Sequence, residues 1–467
     1  MLFSSIPFLF YFLPCVFVLY FLVPMRWKNT VLLLASLFFY AWGEPKFVVF
    51  MLASIVQGYV LARLVEKYRA DRGRAKLFLT LSLVFSLGLL GYCKYADFFL
   101  SGFNALTGLH IPLLRVALPI GISFYTFQIL SYVVDVYRGD VKAQRNFIDL
   151  AAYIAMFPQL IAGPIVRYSD IASQLEHRTH SLADVAAGAR RFVLGLGKKV
   201  LLANVFYELI TTFKASDDRS VLFYWLYAAA CVLNIYFDFS GYSDMAIGIG
   251  MLFGFEFPEN FNYPYISGSV SEFWRRWHMT LNRWFVDYLY IPLGGSRCSR
   301  IRHIFNILVV WMATGFWHGA AWNFVFWGLF YAVLLMAEKF FLLPALKKGR
   351  ALPHVYVLLA VTLGFVLFDA ASLKDALHQL GTLFGAGTAS GLGTEALYML
   401  RSYGVVLALA VLGATPLPAM LWKKAQEAKS LAPVLTVAEP LCTLALLALC
   451  TAFLVDGSFN PFLYFRF

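Results

Sequence analysis

The chain has 467 residues, of which 61% are hydrophobic and 14% charged, and its mean hydropathy is +0.71. A water-soluble domain carries roughly a quarter charged residues, so this composition excludes a soluble globular fold and leaves the bilayer as the solvent. The net charge of +12 would suggest nucleic acid in a soluble chain, but here Lys and Arg gather between apolar runs and report orientation, so no nucleic-acid partner is expected.

Apolar runs recur along the whole length, and about 20 such residues cross the hydrocarbon core as a helix with its backbone satisfied internally; roughly ten to twelve crossings are expected. The first run, residues 1–24, has no basic residue before it, and Arg26 and Lys28 follow it. A cleaved signal peptide has the opposite order, so this run reads as a retained first helix with its N-terminus outside. The clearest later spans are 31–42, 47–64, 77–100, 116–136, 221–239, 304–317, 322–341, 354–368, 405–421 and 434–454. The run 151–163, with Pro158 inside it, reads as a re-entrant or broken helix buried in protein. Alternating from an outward N-terminus puts 30 of the 38 Lys and Arg in inward clusters at 26–28, 63–76, 138–145, 167–199, 275–302, 339–350 and 423–429. Both termini then lie outside. The six cysteines, Cys15, Cys93, Cys231, Cys298, Cys442 and Cys450, show no C-x-x-C spacing and sit mostly in apolar runs, so neither a disulfide nor a metal site is expected.

Residues 256–303 are the least lipid-like stretch. Ser269 and Glu272 form an S-x-x-E capping box. From there Trp274, Trp277, Leu281, Phe285, Tyr288 and Leu289 recur at three- and four-residue steps, with Arg275, Arg276 and Arg283 on other faces, which predicts one amphipathic helix near the inner surface. Gly294 and Gly295 end it in a turn.

His318 lies in TGFWHGAAWNFVFWG, at or near the end of an apolar helix starting near residue 304. An ionisable side chain there is costly unless it has a task or a partner, and the small neighbours leave room for a substrate. A neutral imidazole can serve as a general base near neutral pH; a core histidine bonded to a neighbouring helix is the plainer alternative. His278 stands earlier on the amphipathic helix, with Asn282 one turn on; nothing like H-E-x-x-H surrounds either histidine, and a packing role competes with an orienting one. The other six histidines are assigned no role. Residues 236–250, YFDFSGYSDMAIGIG, bring Asp238, Ser240, Tyr242, Ser243 and Asp244 into one stretch at membrane level, either as glue between helices or as the lining of a reaction cavity. A G-x-S-x-G nucleophile elbow is absent. Lys198, Lys199, Arg275 and Arg276 are inward cations that could meet a phosphorylated donor, although orientation alone accounts for them. The tail 460–467, NPFLYFRF, reads as an interfacial aromatic anchor; its Tyr464 could be a nucleophile if a base removes the phenolic proton.

Taken in order, FFYAWGEP, LPIGISFYTFQ, SYVVDVYRGD, FPQLIAGPIVRY, GLGKKV, YFDFSGYSDMAIG, ENFNYPYIS, SEFWRRWH, DYLYIPLGG and FWHGAAW resemble the membrane-bound O-acyltransferase family, within it the alginate O-acetylation subgroup. The resemblance spans nearly the whole chain and implies an all-α, polytopic fold in a single membrane domain, 1–467, with helices in a ring around a cytoplasmic funnel. It implies that His318 is the catalytic histidine of WHG and that His278 is the second family histidine. It also implies a thioester donor, acetyl-coenzyme A, used as substrate with no bound cofactor. The resemblance further implies a bacterial inner-membrane location and a polysaccharide acceptor reached through an extracytoplasmic serine esterase-like (SGNH-type) partner. Phe462, Tyr464 and Phe467 match an F-x-Y-x-x-F pattern that looks like an acyl relay. On this reading His318 deprotonates Tyr464 as the phenol attacks the acetyl thioester, and His278 orients or stabilises. A D-alanyl transferase of the same family and a polytopic transporter or flippase are the alternatives.

Overall fold

A computed structural model describes residues 1–388, 390–428 and 430–457. Every regular element among the described residues is a helix. Seven are long and apolar enough to cross a membrane: Pro45–Lys67, Arg72–Thr107, Val221–Leu252, Trp322–Leu346, Leu352–Asp369, Thr394–Gly413 and Ala432–Asp456. The chain is an all-α, multi-pass membrane protein. Other apolar runs fall short of that length or hydropathy for local reasons. The run 116–136 is helical only from Ile122, because Gly121 sits at φ +76°, where an added Cβ would run into the Leu160 carbonyl oxygen. The run 405–421 is cut between Gly413 and Leu417, where Pro416 stands outside the second helix. Met25–Gly43 and Arg300–His318 have 19 residues each but carry basic residues in their first turns.

The chain divides into two compact units. The first holds Met1–Phe192 and Ser243–Glu259. Within it the run around Pro158 is broken as expected: Phe147–Ala155 and Phe157–Leu160 are separate helices, and Met156 between them has ψ 113°. Both sides of the break are buried, and Phe157 N donates to Ser36 Oγ at 3.0 Å, which satisfies one of the freed amides. Tyr20 donates to the Phe253 carbonyl at 2.7 Å and accepts from Arg178 Nε at 2.7 Å. Arg191 binds Asp244 at 3.0 Å and also Glu259, so Asp244 serves a structural ion-pair network.

The second unit holds Val193–Tyr242 and Asn260–Phe467. Its core is dense in aromatic side chains, among them Phe213, Tyr227, Trp274, Trp327, Tyr331 and Phe365. Gly195 and Gly241 let two segments approach closely: a Cβ on Gly241 would lie 2.7 Å from the Gly195 carbonyl oxygen. Beside that contact, a π-helical turn, Lys198–Ala203, carries Lys199 inward onto Asp238. Both side chains are 3% exposed. Lys199 is thus a buried partner of Asp238, which removes it from the set of exposed inward cations; a carboxylate in the apolar core keeps its charge only beside such a partner.

Asp238→Asn leaves the Lys199 ammonium buried without its countercharge and should destabilise the protein by about 3–5 kcal/mol, whereas adding Lys199→Met should recover much of the loss. Thermal unfolding in detergent, followed by tryptophan fluorescence, checks both; an unchanged melting temperature in the single variant would contradict the pairing.

Candidate functional site

The single amphipathic helix expected after Ser269 is two short ones, Val270–Arg276 and Met279–Phe285, followed by a π-helical turn, Val286–Tyr290. Ser269 Oγ caps the first by accepting from Glu272 N at 3.0 Å, while the Glu272 carboxylate reaches back to Gly268 N at 3.0 Å, one residue beyond the usual box. The break falls at Trp277 and His278, and His278 adopts φ +43°, ψ +53°. For a residue with a Cβ that conformation costs about 1–2 kcal/mol. Hydrogen bonds from residues 260–262 offset it. Asn262 N donates to the Arg276 carbonyl at 2.9 Å and Met279 N to the Asn260 carbonyl at 2.9 Å, so a short extended segment takes up the backbone groups freed by the break.

Asn260, which is fully buried, also organises the side chains. Its Oδ1 accepts from Thr280 Oγ1 at 2.9 Å and from Thr280 N at 3.4 Å, and it lies 3.0 Å from His278 Nδ1. A backbone N–H can only donate, so the atom facing it is the carbonyl oxygen of the amide. His278 Nδ1 must then carry the hydrogen, which leaves Nε2 as the lone-pair nitrogen. Nε2 is buried and makes no hydrogen bond within the protein. Burial first, and the neighbouring His318 second, hold the pKa of the ring well below the ordinary histidine range. His278 is thus a neutral imidazole with a fixed tautomer and an open acceptor.

His318 is the last residue of Arg300–His318, and Gly319 takes up an extended conformation after it. The next helix, Trp322–Ala337, crosses at close range because glycines meet at the crossing: a Cβ on Gly315 would strike the Phe324 carbonyl, and one on Gly328 the Trp311 carbonyl. That approach sets the imidazole among rings, edge-on to Trp317, Trp327 and Phe368 with centroids 5.0, 5.1 and 5.3 Å away. The Trp317 ring stands 5.9 Å from that of His278, so the two histidines share one neighbourhood.

A cavity of about 230 Å³ runs up to this neighbourhood. His278, Asn282 and Thr314 line one end, Trp274, Trp277 and Trp311 its sides, and Tyr290, His303 and Lys339 the other end. From His303 to Thr314 the helix alone covers about 17 Å at 1.5 Å per residue.

The structure thus brings together His318, His278 and Asn282. Asp238 is held by Lys199, and Ser240 and Tyr242 are buried along the same long helix; none of the three lines this cavity. Arg276 binds Glu272 at 2.9 Å and the Asn262 carbonyl at 3.2 Å, which supports the helix break. Arg275 lines a separate cleft with Lys347 and His354. Lys198 begins the π-helical turn beside Lys199. Tyr464 lies outside the described residues. Sequence reasoning missed Asn260, Tyr290, His303 and Lys339. The segment ENFNYP was a signal for Asn260; the other three look like ordinary loop or helix-end residues. Among the described residues no cluster of three or more His, Cys, Asp or Glu could hold a metal ion.

Nitrogen-15 NMR of histidine-labelled protein should show His278 as the Nδ1–H tautomer, uncharged where an ordinary histidine is already protonated. Asn260→Ala should abolish the fixed tautomer while leaving the other seven histidine signals in place; a His278 imidazolium at pH 6 in the unaltered protein would refute the assignment.

The pattern of the membrane-bound O-acyltransferase family matches residues 140–344, which include both histidines and the cavity. The chain is 39% identical to a probable alginate O-acetylase of Azotobacter vinelandii, with 100% of each chain covered. It is 35% identical to a peptidoglycan O-acetyltransferase of Helicobacter pylori over 82% of this chain and 80% of that one. It is 30% identical to a teichoic acid D-alanyltransferase of Bacillus subtilis over 54% of this chain and 68% of the other. The chain belongs to the membrane-bound O-acyltransferase family and is a multi-pass membrane O-acyltransferase.

Proposed function

We propose that the chain takes acetyl from acetyl-coenzyme A on the cytoplasmic side and passes it across a bacterial inner membrane for O-acetylation of a cell-surface or exported polysaccharide. The observation that carries this reading is a buried imidazole, His278, that lines a narrow cavity, is held neutral with an open acceptor nitrogen, and neighbours His318. The relatives named as alginate and peptidoglycan O-acetylating enzymes support a polysaccharide acceptor. With the N-terminus outside, the basic clusters face the cytoplasm and the C-terminal tail faces out.

In this mechanism His318 accepts the phenolic proton of Tyr464 as the phenolate attacks the thioester carbonyl. The tetrahedral intermediate then collapses, the carbon–sulfur bond breaks, and the thiolate takes the proton from the imidazolium, leaving acetyl-tyrosine and free thiol. His278 has committed its one N–H to Asn260 and can only accept through Nε2. A neutral acceptor beside His318 favours the transient imidazolium, where a second cation would oppose it. The acetylated tail then presents the group to an extracytoplasmic SGNH-type partner, so coenzyme A never crosses the membrane.

The D-alanyltransferase relative, although it matches a smaller share of the chain, makes a D-alanyl thioester the natural competing donor. Incubation with radioactive acetyl-coenzyme A should label the wild type but neither His318→Ala nor Tyr464→Phe; labelling from a D-alanyl thioester alone would overturn the acetyl reading, and equal labelling of all three proteins would sink the relay. Asn260→Asp should keep the Nδ1 acceptor but place a carboxylate against the ring. That raises the pKa of His278, so the acid limb of the pH–rate profile moves to higher pH with kcat reduced by about 10-fold or less at its optimum, and Asn260→Leu should lose roughly 10–100-fold in kcat with KM little changed.

A further inference from the structure

The junction of Leu13–Leu22 and Met25–Gly43, in the first unit, gathers cations that the proposed reaction does not use. Lys28 is 9% exposed, and its ammonium stands over the rings of Tyr20 and Phe21, 4.4 and 4.7 Å from their centroids. Among the described residues it has no hydrogen bond and no ion pair. Arg178 shares the Tyr20 ring, with its guanidinium 5.5 Å from that centroid and 4.5 Å from the centroid of Phe255. Its Nε donates to the Tyr20 hydroxyl and its Nη1 to the Gln174 carbonyl at 3.0 Å, while Nη2 is buried without a partner. His180 Nε2 stands 2.8 Å from the same hydroxyl, and burial, followed by Lys28 and Arg178, holds the pKa of that ring below the ordinary histidine range.

Three basic side chains from two distant segments thus crowd one phenol, and no acid answers them. Asp149 accepts from Asn29 Nδ2 at 2.7 Å, while Glu176 and Glu256, on the flanking segments, are exposed and pair with neither Lys28 nor Arg178. The positive-inside rule asks only for cations on the inward side, which the exposed Arg26 already supplies; it does not ask for one packed down onto aromatic rings beside a second. The crowding is built into the fold. Gly254 has φ +79°, and a Cβ there would lie 3.0 Å from the Thr179 carbonyl oxygen and 3.1 Å from His180 Nε2, so the glycine lets the turn after Phe253 close on this loop. Like charges held together with hydrogens unmet cost free energy that an anion recovers.

The surroundings select which anion. Phe21 is 39% exposed, and Leu22, Met25 and Trp27 are exposed around Pro24, with Val18 and Leu19 continuing the apolar surface along the first helix. A ligand that carries hydrocarbon behind its charge meets both the cations and this surface, whereas a free ion meets only the cations. We propose that Lys28, backed by Arg178, binds the phosphate of an anionic phospholipid whose acyl chains lie along Leu13–Leu22. The basic clusters at 26–28 and 167–199 put that lipid in the inner leaflet by the positive-inside rule. Bound there, it ties the junction of the first two helices to the loop of Arg178 and His180.

Purified wild type, Lys28→Met and Arg26→Gln should be offered equimolar phosphatidylglycerol and phosphatidylcholine with the same acyl chains, the retained lipid being read by native mass spectrometry. Thermal unfolding should then be followed with each lipid and with inorganic phosphate. The wild type should retain phosphatidylglycerol over phosphatidylcholine by roughly 10-fold and unfold at a higher temperature with it. Lys28→Met should bring the preference near parity while unfolding, without lipid, at no lower temperature than the wild type, because an unpaired buried ammonium gives way to an apolar chain of similar length. Arg26→Gln should keep the preference. An even choice between the lipids by the wild type would overturn the site, and that measurement stands even where Lys28→Met does not fold. An undiminished preference in Lys28→Met, or an equal loss in Arg26→Gln, would overturn it as well. Stabilisation by inorganic phosphate as large as that by phosphatidylglycerol would make the ligand a soluble phosphate and overturn the lipid.

Discussion

The Asn260 carbonyl oxygen, accepting from the His278 ring and from Thr280, is the contact on which the rest of the site depends. In a hydrocarbon solvent a helix cannot simply stop, because each unpaired backbone group costs several kcal/mol. Here the stop is built by lending the break a second segment. Residues 260–262 supply a donor to Arg276 and an acceptor to Met279, and the Asn260 side chain satisfies the two groups that remain. One amide thereby sets the backbone turn, the ring orientation and the tautomer of His278 together. The left-handed φ at His278 is affordable only because all three are satisfied by the same residue.

The second constraint is the close crossing of Arg300–His318 with Trp322–Ala337. Gly315 and Gly328 remove the side chains that would hold these helices apart, and Gly319 lets Phe324 pack against the end of the first. Dispersion between backbones is a main source of helix association in lipid, where the hydrophobic effect offers little. The crossing therefore does structural work and functional work at once. It fixes His318 among three aromatic rings, in surroundings of low polarity where two charged imidazoles could not stand close together. On the proposed function, holding His278 neutral leaves His318 as the ring of the pair that takes up the proton.

Much of this was legible in the residues and some was not. The WHG histidine stood out because an imidazole among small and aromatic residues at membrane level is costly without a purpose. The break near Pro158 was legible because proline cannot continue a helix. The break at His278 was hidden, since the three- and four-residue rhythm of Trp274, Trp277 and Leu281 continues straight through it; the residue that supports it, Asn260, lies 18 positions away in ENFNYP, a segment whose link to the helix only the folded chain shows. Where the apolar runs break was not legible, because hydropathy does not register Gly121 at positive φ or the interruption at Pro416. Lys199 and Lys339 show the same limit for charge. Both read as orientation signals, and only the folded chain reveals that one meets Asp238 while the other meets a neutral histidine.

That difference between the two lysines bears on the direction of transfer. A buried cation matched to a carboxylate is closed off from solvent; an exposed one beside a neutral ring at the end of a cavity keeps its field available to whatever enters. Lys339 and His303 stand at the end of the helical hairpin flanked by basic clusters, and His318 stands about 22 Å away at the other end of Arg300–His318. On the proposed function, a donor that enters from the first end delivers its acyl group near the second while its bulk stays on the side from which it came. The membrane is then crossed by the reach of an arm and by the acyl group it holds, with no path needed for the nucleotide or protein behind it.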